Sequence, residues 1–146
     1  MNSLTIAKHV IFKYVHAGKT ITNHRLQMIL YLLQGYSLSV NNIELYPNII
    51  YLWSDGPAIP EAYVEDSVII DMAQDFYEEV SDDVAILVNT VINTTMQYSD
   101  SEIDKICMQT LPVQFTKIGF IIETDKIKYF FQNNDVLSIY DKLSMI

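Results

Sequence analysis

Thr22-Asn23-His24-Arg25-Leu26-Gln27-Met28-Ile29-Leu30-Tyr31-Leu32-Leu33-Gln34-Gly35 is the run from which the architecture can be read. As a helix it places Leu26, Ile29, Leu30, Leu33 and Ser37 on one side and Met28, Tyr31 and Leu32 on another. A helix apolar on more than one face has to be buried, so other helices must wrap it. Thr22 is its predicted cap, and the expected span is about 24–38. Gly35 either admits a close neighbour or marks a weak point near the helix end, since an interior glycine costs up to about 1 kcal/mol relative to alanine.

Working outward, Ser3 is the predicted cap of a first helix whose Leu4, Ala7, Val10, Ile11, Tyr14 and Val15 share one face, and Gly18 is its stop. His9 and His16 belong to this helix, seven residues apart and without a partner at metal-ligand spacing, and read as surface or boundary residues. After turns at Asn41-Asn42 and Tyr46-Pro47, residues 48–53 read as extended. Gly56-Pro57 turns the chain, and Pro60 opens a predicted helix to Asp66. Residues 67–80 read as weakly helical. Ser81 is the predicted cap of a helix carrying Val84, Leu87, Val88, Val91 and Ile92.

Ser99-Asp100-Ser101-Glu102 has the form of a capping box for a helix that Pro112 stops near Thr110. Thr116 to Glu123 reads as extended, Thr124 as the cap of a helix to Gln132, and a last helix is expected to hold Val136, Leu137, Ile139, Tyr140 and Leu143. The expected fold is therefore mainly α: a compact single-domain helical bundle over 1–146, built around the buried helix at 24–38. At most a small sheet is expected, near 48–54 and 117–122.

Half of the 146 residues are hydrophobic and glycine and proline number four each, a composition that supports an ordered core and excludes a low-complexity chain. A formal charge of −9 argues against the basic surface that direct nucleic-acid binding needs. Cys107 is the only cysteine, so no internal disulfide can form. No run reaches the roughly 18 apolar residues of a membrane span, and the expected location is the cytoplasm.

Catalytic and cofactor motifs do not emerge: there is no Walker loop, no Gly-x-Gly-x-x-Gly, no His-Glu-x-x-His and no Cys-x-x-Cys, so neither metal nor cofactor is expected. Cys107 falls on an apolar face with Ile103 and Ile106 and reads as core. The cluster Asp71, Asp75, Glu78 and Glu79 reads as a solvated face. Tyr63, Tyr77 and Tyr98 are either interface residues or core edges.

Arg25-Leu26-Gln27-Met28-Ile29-Leu30-Tyr31 with Gln34-Gly35, then Leu45, and then Trp53 with Asp55-Gly56-Pro57-Ala58-Ile59-Pro60-Glu61-Ala62-Tyr63, resemble the Panacea domain in order and spacing. That family is the antitoxin and phage-associated group that includes the SocA-like proteolytic adaptor. Met28 stands where the family usually has lysine, Leu52 where alanine usually precedes the tryptophan, and Ala58 where valine follows Gly-Pro. In the region laid on Cys107 to Val113, Pro112 is kept and the family's histidine and tryptophan are not, while Ile127-Lys128-Tyr129-Phe130 again resembles the family's ending.

The resemblance implies a helical, non-enzymatic protein that binds a partner, neutralising a toxin encoded beside it or presenting it for proteolysis. The partner-binding residues it points to are Trp53, Asp55, Gly56, Pro57, Pro60, Glu61 and Tyr63. The same turn can equally be scaffold joining two helices. Two rival functions remain: a phage or mobile-element inhibitor that sets its acidic surface against a basic nucleic-acid-processing enzyme, and a hydrolase using Asp55 or the acidic cluster.

Overall fold

The computed structural model describes residues 2–73 and 81–144. It is mainly helical with one two-stranded sheet. Two long helices come first, α1 (Ser3–His16) and α2 (Asn23–Val40). A hairpin of β1 (Tyr51–Trp53) and β2 (Gly56–Ala58) follows, then 3-10 turns at Pro60–Ala62 and Asp66–Val68 and the short α3 (Ile69–Met72). The remaining helices are α4 (Asp82–Thr95), α5 (Asp100–Met108), α6 (Leu111–Gln114), α7 (Thr124–Asn133) and α8 (Tyr140–Ser144).

α2 is the centre that its sequence requires: every residue from Arg25 to Leu38 is buried, and α1, α4, α5, α7 and the hairpin pack around it. The Thr22 hydroxyl accepts the Arg25 amide at 3.2 Å, as a cap does. Gly35 is where α7 comes closest. A Cβ built there would lie 2.5 Å from the Phe131 ring, so of the two readings of this glycine the close approach is the one realised. Phe131 meets the edges of Tyr31 and Tyr36, and Tyr36 meets Tyr140, which seats the C-terminal elements on α2.

Other boundaries hold or move for identifiable reasons. Gly18, at φ 73, ends α1, its amide bonding to Val15 while that of Lys19 bonds to Tyr14. At the start of α1 the cap is Asn2, not Ser3: the Asn2 carboxamide accepts the Thr5 amide at 2.8 Å, while Ser3 is buried with its own amide on Asn48. The capping box at Ser99 and Glu102 is formed. Ser81 occupies the cap position of α4 but makes no side-chain cap bond, and α7 is entered from Glu123 rather than capped by Thr124.

The helix expected from Pro60 to Asp66 is only one 3-10 turn. Asn23 draws the Val64 amide to its side-chain oxygen at 3.0 Å and Asp66 reaches back to the Asn23 amide at 2.6 Å, which holds the chain extended across the start of α2. Pro112 does not simply stop α5; it sits in the first turn of α6. The last helix is shorter than expected, because the Leu137 amide donates to the Tyr36 hydroxyl and the Tyr140 amide to Asp135. His9 is buried against Asn89, deeper than the surface or boundary position expected of it.

The sheet also differs. β1 pairs with β2, where Gly56-Pro57 predicts only a turn, while 119–122 runs along the opposite edge of β1 through bonds between Leu52 and both Phe120 and Gly119 and between Ile122 and Ile50. Among the described residues no helix is long and apolar enough to cross a membrane.

Candidate protein-binding surface

The hairpin owes its shape to two residues. Leu52 spends its amide and carbonyl on Phe120 and Gly119, so the Leu52–Pro57 pair of the register is a non-hydrogen-bonded one, and a proline without an amide hydrogen costs the ladder nothing there. Gly56 has φ 127 and lies against the Met28 methyl group, so a side chain would be both strained and blocked.

Two glutamines of α2 hold the adjoining loops. The Gln27 carboxamide accepts the Ile59 amide at 2.7 Å and donates to the Ala62 carbonyl at 3.2 Å. Seven residues on, Gln34 accepts the Leu45 amide at 2.7 Å and donates to the Tyr46 carbonyl at 2.8 Å. Each side chain stands in for a missing backbone partner in the buried layer. Arg25, also buried, donates to Tyr14, to Asp100 at 2.7 Å and to the Thr95 and Tyr98 carbonyls. Burial opposes its charge, but the bonds to Asp100 and Tyr14 outweigh it and hold the guanidinium pKa above its ordinary value. The arginine and glutamines that carried the family resemblance are thus engaged in holding the fold.

The residues singled out in the turn divide in two. Gly56 and Pro57 are buried supports; Asp55, Pro60 and Glu61 are exposed, as are Trp53 at 43% and Tyr63 at 53%. Trp53 is therefore no core residue. Trp53, Asp55 and Tyr63 line one notch of about 100 Å³ with His24, over a floor of Gly56, Pro57 and Ala58. Pro60 and Glu61 lie outside that lining. His24 is fixed by Asp104, 2.7 Å from Nε2, a pairing across 80 residues that no local spacing announces.

A larger feature went unread in the sequence. Leu111 and Pro112 of α6, Phe115 just after it, and Tyr129 and Phe130 of α7 enclose a groove of about 470 Å³ rimmed by Asp125, Lys126 and Asn134. Phe115 is 76% exposed, Tyr129 71% and Phe120 63%, with Leu111, Ile118 and Ile121 also open to solvent. Exposed apolar surface of this extent marks contact sites, and phenylalanine and tyrosine are enriched in them. The signal was present in the run Leu111 to Ile122: its large apolar residues follow no single period, so no one face could bury them. Of Phe120-Ile121-Ile122, only Ile122 is buried.

The remaining candidates are placed as follows. Cys107 is buried, its thiol 3.7 Å from the Met28 carbonyl, and burial pushes its pKa up, which disfavours the nucleophilic thiolate. Asp71 is exposed at the surface; Asp75, Tyr77, Glu78 and Glu79 lie outside the described residues. Tyr98 is half-buried, its carbonyl on Arg25. Among the described residues no group of three or more His, Cys, Asp or Glu side chains could hold a metal ion. No family model matches this chain, and no curated protein or solved structure matches it.

Proposed function

We propose that this chain is a non-enzymatic protein-binding module, antitoxin-like or proteolytic-adaptor-like, that acts in the cytoplasm by direct contact with a toxin encoded beside it. The observation that carries the reading is the exposed aromatic surface of α6, α7 and the 115–121 segment. A solvent-facing Phe115, Phe120 and Tyr129 contribute little to this chain's own core and much to a partner that covers them. The interior polar groups, Arg25, Gln27 and Gln34, are engaged in structural bonds, in keeping with a scaffold that presents a surface.

The test is co-expression with the adjacent reading frame whose product alone arrests growth. The unaltered chain restores growth; the double variant Phe115→Ser, Tyr129→Ser fails to restore it while its unfolding free energy stays within the change expected of surface substitutions, about 0.5 kcal/mol each. Full rescue by that variant overturns the assignment of the surface. The second reading, inhibition of a basic nucleic-acid-processing enzyme, is favoured by the formal charge of −9 and would show as a strongly basic partner.

A further inference from the structure

We infer that the notch beside the hairpin is a receptor for an arginine side chain of a polypeptide partner. The inference rests on the protein-binding reading but on a different part of the surface. Three features converge. Trp53 and Tyr63, both exposed, line the notch together, and aromatic faces attract a guanidinium through their π electrons and stack on its plane. Asp55, at the tip of the hairpin, lines it too and forms no ion pair with a basic side chain among the described residues. A carboxylate is the anion that guanidinium matches with two parallel hydrogen bonds.

The lining also leaves room for one positive charge. Among the described residues the one basic side chain in the lining is His24, whose Nε2 is already engaged by the Asp104 carboxylate at 2.7 Å. The notch, about 100 Å³, suits the end of one long side chain rather than a cofactor. Its walls are held in advance: Gly56 and Pro57 are buried beneath them, and Gln27 fixes the chain at Ile59 and Ala62. A site that need not reorganise keeps the energy of each contact it makes.

Trp53 is the only tryptophan in the chain, so its fluorescence and its single indole N–H resonance report on this notch alone. The experiment titrates the full chain with acetyl-Gly-Gly-Arg-Gly-Gly-amide and with counterparts carrying citrulline or lysine at the centre. The expected result is a saturable shift of the Trp53 indole signal with the arginine peptide, with a dissociation constant on the order of millimolar, as befits one side chain. Citrulline, which has the same shape and no charge, gives none, and lysine binds about three- to fivefold more weakly. Asp55→Asn and Tyr63→Ala each weaken the arginine peptide by about three- to fivefold, while Glu61→Gln, in the same loop but off the lining, leaves it within about twofold.

Absence of a saturable shift, equal binding of citrulline or lysine, or an Asp55→Asn variant of unchanged affinity overturns the inference. So does equal weakening by Glu61→Gln, which would make the effect one of general charge. Failure here with continued loss of rescue by Phe115→Ser, Tyr129→Ser leaves the protein-binding proposal standing, and the converse pattern leaves the notch standing.

Discussion

His9 shows how a residue that reads as surface or boundary becomes a determinant of stability. It is buried on the inward side of α1, with Nε2 3.1 Å from the side chain of Asn89 on α4. Burial lowers its pKa below the ordinary 6.5; the bond to Asn89 works against that shift and Lys13 adds to it. The unfolded chain therefore takes up a proton on His9 more readily than the folded one. Its contribution is fully present above pH 6.5 and is lost as pH falls from there through the lowered folded value. Urea unfolding at a series of pH values should give a steeper loss between neutral and mildly acidic pH for the unaltered chain than for His9→Gln. Gln27 makes the complementary case. Gln27→Ala strands the buried Ile59 amide and Ala62 carbonyl, each at a cost of about 1–3 kcal/mol, which a lowered urea midpoint at constant slope would reveal.

At the level of elements, the contact between α2 and α7 turns on Gly35. Alanine there recovers about 1 kcal/mol of helix propensity but drives a methyl group into the Phe131 ring, and overpacking costs about 1–3 kcal/mol. Since Phe131 is wedged between Tyr31 and Tyr36, it has little room to yield, and Gly35→Ala should lower the melting temperature. How far along the chain a contact reaches decides whether the sequence discloses it. Thr22 and the Ser99–Glu102 box act within three residues, and α2 displays its burial on every face, so those elements were legible. The segment after Pro60 was not, because Asn23 captures the Val64 amide from 41 positions away. The end of the chain was not, because Tyr36 does the same to Leu137 across 101 positions. Of the site, the hairpin with Trp53, Asp55 and Tyr63 was legible as a rigid turn. Its relation to His24 and Asp104, and the groove between α6 and α7, exist only once distant segments meet.

For the molecule as a whole, charge and apolar surface are unevenly shared. Three of the nine basic residues, Lys117, Lys126 and Lys128, lie in the stretch that carries the exposed aromatic surface, and the excess of carboxylates lies elsewhere. Three lysines interspersed with Glu123 and Asp125 do not offset a formal charge of −9, so duplex DNA should not be bound at physiological salt. Tight, salt-sensitive retardation of a random duplex in a gel would contradict this. Loops ordinarily exchange their amide hydrogens with solvent through small local openings, well before the core does. The amides of Leu45 and Ile59 are bonded to side chains rooted in the most deeply buried helix, so they can be released only when that helix yields. In deuterated buffer these two loop amides should exchange as slowly as those in the middle of α2, making both loops part of its cooperative unit.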